Sequence, residues 1–255
     1  AQRMDADRVI QSKDILAVIN KLYDENTRGD ALKELSQMKC QEDLRTACLY
    51  NSFGIVTILQ GEILSVYKYL NDTSVDEKVE IRACNALTII HSLVTNPEVV
   101  PYVIESNMLY FIVPLIESRN KRFVNIRKVC LAVIFEISMH KRNPNLIIQL
   151  FLQGLVQSCL SVFERVEMNE KNTITLIVYN VLTSDNMLNY ILQRQKLTQI
   201  IGSFLVKCGI ECTMSGDKKT LNDYRQKVLD YLALSGSRDL VNSINEEVRR
   251  QTELR

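Results

Sequence analysis

Two features place reactive residue types at a spacing that could do chemistry. One is the cysteine pair Cys208 and Cys212 in "CGIEC", one helical turn apart; the other is "RNKRFVNIRK", with Arg119, Lys121, Arg122, Arg127 and Lys128 in ten residues. A structural zinc ion needs four nitrogen or sulfur ligands. The chain offers only two histidines, His91 and His140, and neither is near the pair in sequence. The pair therefore reads as two thiols on one helix face. His91 in "HSLV" reads as a helix-face residue and His140 in "MHKRN" as a helix-end residue, so no Ser-His-Asp or Cys-His set is assembled. No P-loop, dinucleotide-binding glycine motif or HExxH is present. The acidic residues are spread along solvated faces beside Lys and Arg. Catalytic, metal-binding and cofactor-binding residues are accordingly assigned to none, and the chain reads as no enzyme.

The basic run has two readings. It is an interhelix loop and a solvated helix start, or it is a rim for phosphates or acidic peptide, because Arg127 lies on a helix whose apolar face is Ile126, Val129, Cys130 and Val133. Such a rim comprises Arg82, Lys121 and Arg127 and binds RNA only weakly. No whole-molecule field assists it: 31 basic against 30 acidic residues leave a formal charge of +1. No apolar run reaches the roughly 18 residues of a membrane span, and "AQRMDADRVI" lacks a signal peptide's apolar core. The expected location is the cytoplasm, with the nucleus as a second site and no membrane partner. The remaining cysteines, Cys40, Cys48, Cys84, Cys130 and Cys159, lie in apolar helical stretches and read as buried, reduced thiols.

The elements that must position these residues are helices. Glycine (8) and proline (4) are too scarce for a β-rich fold among 255 residues. "DILAVINKLY" puts Ile15, Val18, Ile19 and Leu22 on one face, and "DALKELSQM" puts Ala31, Leu35 and Met38 on another. Ser74 followed by Glu77 predicts a capping box opening a long helix. Asn96-Pro97 and Asn143-Pro144 each pair an N-cap residue with a proline at the first helical position. They lie 47 apart, and at that offset Val103 falls on Leu150, Asn107 on Gly154, Leu109 on Val156 and Leu115 on Val162. Weaker starts at Asp185 and Ser235 continue the period. Pro101 and Pro114 should bend or restart helices, and the stretch around Gly216 is the best exposed linker. The expectation is an all-α, armadillo-repeat superhelical solenoid of about six repeats, one domain over 1–255 with loosely ordered ends at 1–12 and 249–255.

One stretch strains that pattern. "YNSFGIVTILQGEIL" predicts a helix capped by Ser52 with an apolar stripe of Phe53, Val56, Leu59 and Ile63, yet Gly54 and Gly61 fall inside it. Each costs about 1 kcal/mol against alanine. Gly54, Thr57 and Gly61 share a face flat enough for another helix to lie close. By spacing, that helix belongs either to a neighbouring repeat or to a partner.

The order of motifs resembles the cell-differentiation-protein family, the armadillo-repeat subunit of the CCR-NOT deadenylase complex. The resemblance rests on Ser52-Phe53-Gly54, Glu62-Ile63, "RACNALTIIHSLVTNPE", Pro114, "NIRKVCLAVI" and "YLALSGS", and runs from about Ile15 to Val248. It implies a noncatalytic adaptor that docks on the NOT scaffold subunit and offers a groove to short helical peptide motifs of mRNA-binding repressors, promoting mRNA decay and translational repression. Carried over, the groove comprises Asn51, Phe53, Gly54, Thr57, Gly61, Leu64, Asn85, Asn125 and Ala132. Scaffold docking falls on Ile174, Ile177 and Val178, a strip that sequence alone reads as core. The chain departs from the family at Tyr50 for tryptophan, Asn51 for histidine, Thr57 for alanine and Ala132 for glycine. Alternatives are a generic armadillo or HEAT peptide receptor, for which the absence of tryptophan is a poor match, and a nucleic-acid-binding solenoid.

Overall fold

A computed structural model describes residues 2–38, 42–71, 74–213 and 218–254 of the chain. Among them are fifteen α-helices, five short 3-10 segments and no strand. The linker expected around Gly216 lies outside the described residues. No single helix described is long and apolar enough to cross a membrane.

The helices fall into two compact units, Ala1–Ile137 and Ser138–Arg255. The first holds α1 (Gln2–Asn20), α2 (Glu25–Gln37), α3 (Glu42–Tyr50), α4 (Ile55–Leu64), α5 (Glu77–Val94), α6 (Val100–Glu105), α7 (Val113–Glu117) and nearly all of α8 (Val124–Ser138). The second holds α9 (Pro144–Leu152), α10 (Leu155–Val162), α11 (Met168–Leu182), α12 (Met187–Leu192), α13 (Gln195–Thr213), α14 (Lys219–Leu234) and α15 (Arg238–Glu253).

Apolar periodicity sets which faces pack. In the first unit Ile15, Val18, Ile19, Leu22, Ala31 and Leu35 are buried where their spacing places them. Helix α5 supplies the centre, with Ala83, Ala86, Leu87, Ile90, Leu93 and Val94 buried against α2, α3, α4 and α6. In the second unit α11 plays that part through Ile174, Ile177, Val178 and Val181, packing on α10, α12 and α14, while α13 packs on α14 and α15.

Several helix starts differ from the expected ones. Helix α5 begins two residues beyond the predicted capping box: Asp76, not Ser74, is the N-cap, and its carboxylate accepts from the Lys78 amide at 2.9 Å. Asn143-Pro144 opens α9 as expected, without a side-chain cap bond. Asn96 instead closes a turn, accepting from the Glu98 amide, and α6 starts later with Pro101 in its first turn. Pro114 likewise sits in the first turn of α7, so both prolines restart helices.

The repeat offset has a backbone cause. Gly54, Asn107, Gly154 and Asn186 all adopt the left-handed conformation, φ between 56° and 74°, each as the residue that hands one helix to the next. That conformation is open to glycine and, among other residues, most readily to asparagine. Asn107 on Gly154 is thus the same joint in two repeats, and Gly54 is a third.

Candidate functional site

Gly54 corrects the sequence reading of its own helix. It is the N-cap of α4 rather than an interior residue, and Ser52 does not cap α4, because its hydroxyl donates back to the Cys48 carbonyl at 2.7 Å. The start at Ile55 also shifts the buried stripe to Ile55, Leu59, Glu62 and Ile63. Phe53, assigned to that stripe, stands in the turn between α3 and α4 and is 94% exposed. The Tyr23 hydroxyl donates to the Phe53 carbonyl at 2.7 Å, which fixes the turn from α2's side of the unit.

The inner face of α4 is anchored by charge. Glu62, 5% exposed, takes both Nε and Nη2 of Arg82 from α5, while Arg28 Nη1 of α2 lies 3.7 Å away. A carboxylate buried this deeply is stable only when its lone pairs are met, and the planar guanidinium fork meets two at once. The outer face is open. Thr57 and Gly61 are exposed, and a Cβ built at Gly54 or Gly61 meets nothing within 4 Å. Of the two partners that the small-residue spacing allowed, a neighbouring repeat of this unit is therefore absent from that face among the described residues.

Beside the joint lies a cavity of about 410 Å³, lined from the α3–α4 turn by Tyr50, Phe53, Gly54 and Thr57 and from α5 and α6 by Leu93 and Tyr102, among others. None of its lining side chains carries a charge. The rings of Tyr50 and Tyr102, both about half exposed, lie 5.2 Å apart and tilted by 48°. Desolvation, together with a hydrogen bond to Tyr102, holds the Tyr50 hydroxyl above its ordinary pKa, so the phenol stays neutral at physiological pH. The site can take an apolar or aromatic side chain and satisfy one polar group at its edge.

Not all the predicted groove residues meet there. Phe53, Gly54 and Thr57 line the cavity; Gly61 and Leu64, 37% exposed, continue along α4. Asn51 is exposed and donates to the Ala47 carbonyl at 2.8 Å. Asn85 accepts from the Ser36 hydroxyl at 3.1 Å, and its own buried Nδ2 has no partner. Asn125 is exposed, reaching Glu80 at 3.3 Å, and Ala132 is half-buried. Tyr102 was missed. Its signal was legible: in "VVPYVIE" the residues Val99, Val100, Val103 and Ile104 are buried, which leaves Tyr102 as an aromatic ring off the core face.

Two other assignments change. Ile174, Ile177 and Val178 are each 0% exposed, so the strip assigned to scaffold docking is the core of the second unit and presents nothing to a partner. The three rim residues do not form one exposed cationic surface: Arg127 is 7% exposed, Arg82 is committed to Glu62, and Lys121 alone is exposed. His91 lies 3.9 Å from Glu136, in keeping with a structural histidine, and no cluster that could hold a metal occurs among the described residues.

Comparison with known proteins gives the family and the fold. The family described as "Cell differentiation family, Rcd1-like" matches residues 18–250. Among curated relatives, cell differentiation protein rcd1 of Schizosaccharomyces pombe is 29% identical over 189 residues, covering 73% of this chain and 66% of that protein. Protein CAF40 of Saccharomyces cerevisiae is 29% identical over 166 residues, covering 64% of this chain and 44% of that protein. The matched stretch thus spans about two thirds of one relative's length and under half of the other's. Among solved structures, a designed armadillo repeat protein superposes with a TM-score of 0.64 at 20% identity, covering 91% of this chain and 87% of its own. A computationally designed armadillo repeat protein for modular peptide recognition gives 0.59 at 17% identity, over 94% and 98%. The fold is all-α, of the armadillo-repeat type.

Proposed function

We propose, from the premise that this chain belongs to the Rcd1-like cell differentiation family, that it is a noncatalytic adaptor of the CCR-NOT deadenylase complex, docking on the NOT scaffold subunit and receiving a short helical peptide of an mRNA-binding repressor. The observation that carries the peptide half is the uncharged cavity of about 410 Å³ at the α3–α4 joint, beside an α4 face on which, among the described residues, nothing packs at Gly54 or Gly61. A helix laid over small residues approaches closely, and one apolar anchor residue fills a pocket of this size. The complex is supported by family membership and by the CAF40 name of the budding-yeast relative. The scaffold is met by a surface other than the buried Ile174 strip.

An RNA-binding role has less support. Phosphate recognition needs several free cations, whereas the cavity lining has none and two of the three rim cations are buried or paired. Any RNA binding is weak and salt-sensitive.

Affinity purification of the tagged chain beside its Thr57→Tyr variant tests the proposal. Deadenylase subunits should co-purify with both, while repressor proteins should be lost from the variant, whose melting temperature stays unchanged because Thr57 faces solvent. Absence of deadenylase subunits from the wild-type eluate overturns the adaptor reading. Retention of every repressor by Thr57→Tyr removes the groove.

A further inference from the structure

Among the described residues, the second unit buries a guanidinium that faces no carboxylate. Arg225 of α14 is 7% exposed; its Nε donates to the Leu205 carbonyl at 3.1 Å and its Nη2 to Asn245 Oδ1 of α15 at 3.2 Å. Among the described residues it makes no ion pair with an acid. A buried, hydrogen-bonded cation is costly to keep unless an anion faces it. The group facing it is the cysteine pair of α13. Burial lowers the affinity of Arg225 for its proton, and Cys208 and Cys212 are what raise it again.

Gly209 makes that approach. A Cβ there would come within 2.9 Å of the guanidinium carbon, 2.8 Å of Nη2 and 2.7 Å of Val248, so any side chain at 209 would push Arg225 away from α13. Cys212 stands one turn from Gly209 and lines an open cavity of about 330 Å³ together with Lys218, Lys219, Asn222 and Arg225. Cys208, wholly buried, lies one turn back.

We propose that Cys212 is a reactive thiol, oxidised by peroxides, with Arg225 and Lys218, which line the same cavity, as its charge partners. The Cys212 sulfur is held below its ordinary pKa by the Cys208 thiol hydrogen bond first, then by Arg225 of α14 and Lys218. Burial and Glu211 act the other way, as does the C-terminal end of α13. The Glu211 charge is largely met by Lys218 at 2.6 Å and by Lys171 of α11 at 3.0 Å. The groups facing it from α15, Asn245 and Val248, are neutral. A thiolate is the nucleophilic form, and one that solvent reaches beside cations is the form that oxidants select; Cys212 is half-buried and opens on the cavity.

In the reaction the Cys212 thiolate attacks the terminal, hydrogen-bearing oxygen of a hydroperoxide. The S–O bond forms as the O–O bond breaks, the leaving alkoxide takes a proton from water, and the sulfur ends as a sulfenic acid, oxidised by the two electrons that reduce the peroxide to an alcohol. The chain contains its own controls, since burial pushes the Cys84 and Cys159 thiols up to about 12.

The test exposes the full chain to cumene hydroperoxide with a sulfenic-acid-trapping dione, and separately to iodoacetamide across pH, and reads each cysteine by peptide mass spectrometry. Cys212 should label first, with an alkylation midpoint below the roughly 8.5 of free cysteine. Lys218→Gln and Arg225→Met should each raise that midpoint and slow labelling at pH 7 by about threefold or more. Lys218→Gln leaves the buried contacts of Arg225 in place and so serves if Arg225→Met fails to fold. Labelling of Cys212 no faster than Cys84, or an unchanged midpoint in a folded Lys218→Gln protein, overturns the proposal.

Discussion

Tyr50 and Tyr102 come from different helices, α3 and α6, yet their rings meet at 5.2 Å in a tilted pair that forms one wall of the uncharged cavity. Such a pair contributes about 0.5–1.5 kcal/mol beyond its buried area. Because Tyr102 is 54% exposed, Tyr102→Ala should cost no more than about 2 kcal/mol on thermal unfolding. Peptide retention in the affinity purification should nevertheless fall, because the wall is gone. Loss of the fold in Tyr102→Ala would mean that the ring belongs to the core rather than to the site.

The left-handed joint makes a comparative prediction at Gly54. Gly54→Ala forces a Cβ into φ +74° and should cost roughly 1–2 kcal/mol although the space around it is empty. Gly54→Asn should cost less, since Asn107 and Asn186 hold the same conformation in this chain. Equal losses from the two variants in a denaturant titration would show that contacts, and not backbone conformation, select glycine there.

Ile177 distinguishes core from docking surface. With 0% exposure, Ile177→Ala should destabilise the protein by about 2–5 kcal/mol, read as a lowered denaturation midpoint. A variant of unchanged stability that released the scaffold subunit would instead restore the docking role.

Glu211 should give the second unit a distinct acid response. The Lys218 ammonium above all, with Lys171, holds its carboxyl below the ordinary 4.5. A carboxylate with a depressed folded-state pKa adds stability that is fully present above the unfolded value and is lost as pH falls through the folded one. Wild type should therefore exceed Glu211→Gln by up to about 1 kcal/mol at pH 7, an advantage that shrinks once the pH drops below 4.5. Parallel stability curves for the two proteins down to pH 3 would contradict this.

Sequence carried the helical class because burial follows the 3.6-residue period: Ile15, Val18, Ile19 and Leu22 are buried as their spacing requires. It misplaced α4 because Ser52 looks like a cap, and only the backbone conformation reveals that Gly54 takes that position. The joint itself was already visible as Asn107 falling on Gly154, but the identity of two residues at one offset does not disclose a positive φ. Pairings across long separations were the least legible. Nothing local to Arg82 shows that Glu62, twenty residues earlier, claims its guanidinium, and nothing local to Ile174 separates a buried strip from a docking strip. Phe53 on an expected apolar stripe and Phe53 projecting into solvent differ only in where the helix begins.

The recurring joints also bear on how the chain assembles during synthesis. Two of them are closed by bonds to residues only three positions back, the Asn107 amide to the Ile104 carbonyl and the Gly154 amide to the Phe151 carbonyl. At these two joints the direction of the new helix is therefore set by residues already made, before later sequence is needed. A fold built from such short-range decisions has little entropy of loop closure to overcome, so the leading repeats can settle while the ribosome is still extending the chain.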